Sequence, residues 1–189
     1  MKKVVKFGGS SLASAEQFKK VGAIIRSDAG RRFVVPSAPG KRFDKDTKVT
    51  DMLYACYALA AEGKDFGREL RQIEQRYQEI IDGLELKLSL EKEFSLIREN
   101  FAGKAGKDYA ASRGEYLNGI VMANYLGYEF VDAAEVIVFC EDGSFDMDKT
   151  TEVLGERLKD MKNAVIPGFY GAMPDGSIKT FSRGGSDIT

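Results

Sequence analysis

The chain has 189 residues, of which 43% are hydrophobic and 30% are charged, and its 28 basic and 29 acidic side chains leave a formal net charge of −1. This length favours one domain, or one domain and part of another. The balanced charge provides no general attraction to nucleic acid or anionic lipid. The sequence contains no histidine, which excludes Ser-His-Asp and Cys-His nucleophile systems and histidine-bearing zinc sites. Chemistry is left to lysine, arginine, carboxylates, hydroxyls and backbone amides.

The cysteines and the apolar segments indicate the cellular compartment of the protein. Cys56 and Cys140 lie in apolar stretches, which is typical of small core residues in a reducing compartment. No apolar run approaches the roughly 20 residues that span a bilayer, and the basic start is not followed by the apolar stretch of a secretory signal. We therefore expect a cytoplasmic protein with no membrane and no nucleic-acid partner.

The first third of the chain predicts strands that alternate with helices. Short apolar runs predict strands at residues 2–7 and 32–36. Ser14 and Gln17 have the spacing of a capping box, so a helix is expected after the first strand. The polar segment 41–48 is predicted to be a surface loop, and a second helix is expected to begin near Thr50.

The middle of the chain is predicted to be helical. Apolar residues recur every three or four positions from about residue 64 to residue 126. The last helix of this block, from about residue 105, contains Gly114. A glycine inside a helix costs about 1 kcal/mol relative to alanine, which indicates that another segment approaches closely there.

Strands return in the last third. They are predicted at 129–131, 135–140 and 164–166, with a helix at about 148–161. Residues 174–177 predict a hairpin turn between two further short strands. Strands that alternate with helices predict an α/β sandwich with a largely parallel sheet, in which ligands bind beyond the carboxyl ends of the strands.

The first strand leads into a glycine turn suited to an anion. Gly8 and Gly9 let the backbone turn tightly and present successive N–H groups, with Ser10 beside them. Lys6, at the end of the strand, would place an ammonium against a phosphate. The alternative is an ordinary strand-to-helix turn with a solvent-facing lysine. The sequence matches neither a P-loop nor a dinucleotide-binding fingerprint.

A second glycine pair lies near the end of the sequence. Gly184 and Gly185 are preceded by Arg183 and followed by Ser186 and Asp187. The arginine offers a planar donor fork for a carboxylate or a phosphate. The alternative is that the serine or the aspartate caps a short helix. Two glycine pairs, each beside a cation, favour one phosphate chain held from both sides.

Hydroxyl and carboxylate side chains at other junctions offer contacts for a small polar substrate. Ser37 follows the second strand and Thr50 begins a helix, although turn and capping roles explain both equally well. Glu115 would hold an ammonium group, and the alternative is a solvated glutamate on the helix surface.

Together, these motifs resemble those of the aspartokinases, members of the amino-acid-kinase superfamily. In chain order the motifs are Lys6–Ser11, Ser37–Ala38, Val49–Thr50, Ser112–Glu115, Gly168–Phe169 and Arg183–Asp187. The resemblance covers essentially the whole chain. It implies a three-layer α/β/α sandwich with a mainly parallel sheet.

The resemblance also implies an activity: transfer of the γ-phosphoryl group of ATP to the β-carboxylate of L-aspartate, the first step towards lysine, threonine and methionine. Mg²⁺ would be held mainly by the phosphates, with no protein metal site. The implied catalytic residues are Lys6 and Asp187. The implied aspartate ligands are Ser37, Thr50, Glu115, Arg183 and Ser186. The implied phosphate site consists of Lys6, Gly8, Gly9, Ser10, Gly184 and Gly185.

A carboxylate acceptor suits a protein without histidine. An aspartate side chain, with an ordinary pKa of about 3.9, is already ionised at pH 7 and needs no general base. Phosphoryl transfer then depends on positioning and on neutralising oxygen charge.

The resemblance further implies that residues 1–189 form the amino-terminal, acceptor-binding lobe of a catalytic domain. The nucleotide-binding lobe and the ACT regulatory domains would lie outside this chain, and the parent protein would form homo-oligomers. Two alternatives stay open: a relative that phosphorylates another carboxylate or a nucleotide, and a non-catalytic acceptor-binding fragment.

Overall fold

The computed structural model describes residues 1–181. The predicted motif at 183–187 therefore lies outside the described residues. Within residues 1–181 the strands and α-helices, in chain order, are β1 (Lys3–Phe7), α1 (Ala15–Arg26), β2 (Arg31–Pro36), α2 (Val49–Ala61), α3 (Gly67–Gly83), α4 (Glu91–Ala102), α5 (Lys107–Leu126), β3 (Glu129–Phe130), α6 (Ala133–Val136), α7 (Met147–Leu158), β4 (Ala164–Val165), β5 (Tyr170–Ala172) and β6 (Ile178–Thr180). A 3-10 helix at Gly9–Leu12 lies between β1 and α1.

The central sheet has four parallel strands in the order β1-β2-β4-β3. Strands β1 and β2 are joined through α1, because a parallel pair needs a crossover connection. The strands β5 and β6 form a separate antiparallel hairpin. The α/β class and the parallel sheet are confirmed.

The two faces of the sheet pack against different layers. Successive strand residues point to opposite faces, and Val34 and Val165 belong to a core cluster shared with helices α1 to α5. Their neighbours Phe33 and Ala164 belong to a second cluster, with α6, α7 and the β5–β6 hairpin. Helices thus cover both faces, as the predicted three-layer arrangement requires.

Local signals in the sequence are confirmed where they specify a hydrogen bond. The hydroxyl of Ser14 accepts from the backbone N–H of Gln17 at 3.4 Å, at the start of α1. The predicted hairpin turn is closed by the N–H of Met173, which donates to the carbonyl of Ser177 at 2.8 Å. Gly176 occupies the left-handed region at φ 82°, where glycine has no steric penalty.

The predicted strand at 135–140 is wrong. Ala133–Val136 forms a short helix, and Val138 and Phe139 make only single bridges. The reason is Asp132, whose Oδ1 accepts from the backbone N–H of Ala134 at 3.0 Å and from the Tyr170 hydroxyl at 2.6 Å. A side-chain cap supplies a partner for a free helical N–H, so the chain turns into a helix before the apolar run can extend.

The predicted core cysteines differ. Cys56 is fully buried and burial raises the pKa of its thiol to about 12, whereas Cys140 is only half-buried. Across residues 1–181, no helix combines the length and the apolar character that crossing a membrane requires.

Candidate active site

A cleft of about 870 Å³ lies at the carboxyl ends of the parallel strands. It is reached by Lys6 near the end of β1, by Ser37 just after β2 and by Phe169, which follows β4. Helix residues also line it, with Thr50 from the start of α2 and Glu115 from α5. The cleft therefore lies where parallel α/β sheets usually bind their ligands.

A second cavity of about 490 Å³ adjoins this cleft. The two share Ser37, Lys48, Thr50 and Glu115 in their walls. The second cavity adds a wall of small residues: Gly9, Ser10, Ala38, Pro39 and Gly40. The predicted glycine turn and the predicted acceptor residues thus lie side by side, while Gly8 lines neither cavity.

The glycine turn is packed tightly against the segment that follows β2. The N–H of Gly40 donates to the carbonyl of Gly9 at 2.8 Å. A Cβ at Gly9 would lie 2.8 Å from the Ala38 carbonyl oxygen, and one at Gly40 would lie 2.6 Å from the carbonyl carbon of Gly9. Neither position admits a side chain, so the segments predicted to bind the phosphates and the acceptor are held as one unit.

Glu115 lies inside the protein rather than on a solvated helix surface. It is 8% exposed, and the backbone N–H of Ala38 donates to its carboxylate. Burial raises the pKa of Glu115 to about 7. Its Oε2 has no hydrogen-bond partner within residues 1–181. A buried carboxylate oxygen without a partner is costly, and a ligand ammonium would satisfy it.

The close approach predicted at Gly114 is present. A Cβ there would lie 2.7 Å from Cβ of Ala38. The Gly114 carbonyl accepts from the hydroxyl of Tyr77, on α3, at 2.7 Å. Glycine therefore lets α5 reach the segment after β2, which brings Glu115 to the site.

Several residues of the site were missed. The Nδ2 of Asn118 donates to the Ser37 carbonyl at 2.6 Å and so fixes that segment. The sequence signal that could have identified Asn118 is its position three residues after Glu115, which places both on the same helix face. Lys48 and Lys107 also line the cleft, and Nζ of Lys107 lies 5.3 Å from the centroid of the Tyr54 ring.

The described wall of the cleft carries more positive than negative side chains. Lys6, Lys48 and Lys107 face two acids, Asp51 and Glu115. Such a wall favours an anion, with one buried carboxylate left for a positive group on the same ligand. The described residues include no cluster of three or more cysteine or carboxylate side chains that would hold a metal ion.

Comparisons with known proteins point to one family. A family model described as the amino acid kinase family matches residues 1–189. Aspartokinase 3 of Bacillus subtilis strain 168 is 38% identical over 202 residues, which is 99% of this chain and 44% of that protein. Aspartokinase 1, chloroplastic, of Arabidopsis thaliana is 29% identical over 210 residues, covering 98% of this chain and 36% of that protein. The chain thus spans less than half the length of these curated relatives.

Solved structures give the same picture. Aspartate kinase from Clostridium acetobutylicum superposes with a TM-score of 0.95 at 51% identity, covering 100% of this chain and 44% of that one. Aspartokinase III of E. coli, in complex with aspartate and ADP, superposes with a TM-score of 0.79 at 24% identity, covering 100% of this chain and 45% of that one. The second likeness is one of fold alone.

Proposed function

The chain belongs to the amino acid kinase family, and from this premise we propose that it is the acceptor-binding part of an aspartate kinase. The reaction is transfer of the γ-phosphoryl group of ATP to the β-carboxylate of L-aspartate, giving 4-phospho-L-aspartate and ADP. The 38% and 51% identical relatives, both aspartate kinases by name, support this choice. The pathway proposed for the product is lysine, threonine and methionine biosynthesis, in a cytoplasmic, homo-oligomeric parent protein.

One observation carries the proposal: a buried carboxylate, one of whose oxygens has no partner among the described residues, shares a cleft with hydroxyls and lysines. Glu115 would accept a hydrogen bond from the α-ammonium group of aspartate, and Ser37 and Thr50 would contact other polar atoms of the substrate. An ammonium at Oε2 also returns Glu115 to its ionised form, because an opposite charge lowers the pKa of a carboxyl.

The phosphates would lie beside the glycine turn. The backbone of Gly8 and Gly9 and the hydroxyl of Ser10 would contact them, and Lys6 would neutralise charge as it develops on the transferring oxygens. A β-carboxylate oxygen forms the new bond to the γ-phosphorus, and the bond from that phosphorus to the oxygen bridging to the β-phosphorus breaks. The carboxylate is already ionised, so no proton is removed.

Residues outside the described range complete the proposed site. Arg183 would bind the α-carboxylate of aspartate, with Ser186 beside it. Gly184 and Gly185 would contact phosphate from the opposite side, and Asp187 would organise Lys6. Mg²⁺ is proposed to arrive with ATP, since it is usually held by phosphates and water and by one or two carboxylates, and it would neutralise phosphate charge.

The test is an acyl-phosphate assay on the natural full-length protein, with the product trapped as the hydroxamate. We expect product only when ATP and L-aspartate are both present. Lys6→Met should lower kcat about 100- to 1,000-fold, the range found when one charge-stabilising donor is lost. The matched control is Lys2→Met, an exposed lysine just before β1, which should keep full activity.

Two results would overturn the proposal: no hydroxamate from the wild-type protein, or equal rates for Lys6→Met and wild type. A substrate panel tests the nearest alternative. N-acetylated glutamate carries no ammonium for Glu115, so a preference for it over aspartate would indicate a different carboxylate kinase of the family.

A further inference from the structure

The unexpected feature is an arginine buried at the back of the site. Arg76 lies on the inner face of α3, beside Ile73 and Tyr77, and is 3% exposed. A guanidinium is costly to bury unless its N–H groups find partners. Its partners are therefore informative about why it is there.

Those partners belong to two separate segments of the chain. Nη2 of Arg76 donates to the Gly40 carbonyl at 2.7 Å and to the Ala13 carbonyl at 3.3 Å. Nη1 donates to Oδ2 of Asp46 at 2.8 Å. The side chain of Asp46 is 9% exposed, and Arg42 and Arg76 hold the pKa of its carboxyl well below its ordinary value.

Both segments carry proposed ligands. Ala13 ends the turn that contains Gly9 and Ser10, and the segment from Ser37 to Lys48 leads from β2 into α2. The segment 41–48, predicted to be a plain surface loop, is thus anchored from inside by Asp46. One side chain on a helix behind the cleft holds both of its adjoining walls.

We infer that Arg76 is a positioning residue, which sets the distance between the phosphate-binding and acceptor-binding segments. The inference rests on the proposed function, in which these segments hold the two reactants. Arg76 lines neither cavity of the site, so it acts through the segments it holds. Reacting groups displaced by about 1 Å lose rate on the order of 100-fold, and loss of Arg76 frees both segments at once.

The test uses the natural full-length protein with Arg76→Met, Arg76→Lys and Asp46→Asn. For Arg76→Met we expect kcat/KM to fall about 10- to 100-fold, with a lower kcat as well as a higher KM for aspartate. Arg76→Lys should recover part of the loss, because a lysine keeps the charge but cannot reach three partners in a fixed fork. If Arg76→Met does not fold, the kinetics of Arg76→Lys and Asp46→Asn test the positioning role instead.

The matched control is Arg98→Met. Arg98, on α4, pairs at 3.1 Å with Glu74 of α3, the helix that carries Arg76, but the Arg98 side chain is 45% exposed. This variant should keep wild-type kcat and KM. Equal kinetics for folded Arg76 variants and wild type, or an equal loss in the control, would overturn the inference.

Hydrogen–deuterium exchange keeps this inference separate from the proposed function. Amides in residues 8–13 and 37–48 should exchange about tenfold faster or more in the Arg76 variants, and at the wild-type rate in Arg98→Met. This measurement needs no turnover. If the Arg76 variants exchange faster but the protein does not phosphorylate aspartate, the positioning role is supported and the proposed function is refuted. Unchanged exchange in the Arg76 variants would refute the positioning role.

Discussion

The carboxylate of Glu115 occupies a place that penalises its charge. Its pKa in the folded protein is about 7, against an ordinary value of 4.5, because burial disfavours the ionised form. The folded protein therefore binds this proton more tightly than the unfolded chain does. The resulting contribution to the free energy of unfolding falls as the pH rises from about 4.5 to about 7, and stays low above that range.

Replacing Glu115 with glutamine should remove this penalty. We expect Glu115→Gln to raise the free energy of unfolding by up to about 3 kcal/mol at pH 8, and by much less near pH 5, where the native carboxyl is mostly neutral. Urea unfolding at the two pH values measures the difference. Glu99→Gln, an exposed position on α4, should show no such pH dependence. A Glu115→Gln variant that is no more stable at pH 8 would contradict the raised pKa.

The same substitution should lower the proposed aspartate kinase activity. The neutral amide keeps the size of the side chain but not its charge, so it loses the proposed attraction to the aspartate ammonium. A group that costs stability and is proposed to bind substrate is the pattern expected of a functional site, where a locally unfavourable charge is retained for the ligand.

At the scale of elements, the close packing of α5 against the segment after β2 sets the position of Glu115. Helix propensity disfavours a glycine inside this helix. The tertiary contact explains why glycine is present, because there is no room for a Cβ between Gly114 and Ala38. Helix propensity and packing therefore act in opposite directions at this residue.

Gly114→Ala tests which of the two dominates. The overpacking cost of about 1–3 kcal/mol should exceed the gain of about 1 kcal/mol in helix propensity, so the variant should be less stable and should displace Ser37. Gly155→Ala in α7 is the control, since a Cβ there meets nothing within 4 Å, and it should be slightly stabilising. Chemical denaturation of both variants measures the signs. Stabilisation by Gly114→Ala would show that the segment after β2 yields freely.

Elements also show where local patterns failed. The apolar run at 135–140 has the composition of a strand, but Asp132 begins a helical turn there and is itself held by the hydroxyl of Tyr170. These two residues are 38 positions apart. Periodicity within a short window cannot register a partner so distant along the chain, and the prediction failed for that reason.

For the whole molecule, the described part of the cleft brings together groups suited to phosphates and to an amino acid. The relatives are more than twice as long as this chain. We propose that the adenosine of ATP is bound outside residues 1–189, by a part of the parent protein that corresponds to the uncovered portion of those relatives. The 189-residue chain would then contribute only one side of the nucleotide site.

Calorimetry compares the 189-residue chain with the natural full-length protein. We expect the full-length protein to bind ATP and the 189-residue chain to bind it weakly or not at all, because binding energy from the adenosine is lost. Unfolding by urea, followed by circular dichroism, confirms that the shorter chain is folded under the same conditions. Equally tight ATP binding by both would contradict this division of the site.

The sequence by itself determined the class of fold and the types of residue at the site. Strand and helix periods, capping spacings and paired glycines are local, so they specified the parallel α/β arrangement and placed Lys6, Ser37 and Thr50 at strand ends or helix starts. Only the tertiary structure decided that Glu115 is buried, that Asn118 holds the segment after β2 and that Arg76 reaches two segments from behind. Those roles depend on desolvation and on contacts between residues far apart along the chain, and neither can be obtained from spacing alone. The absence of histidine thus restricted the residue types that could act in catalysis, and the fold determined which of the remaining charged side chains face the cleft.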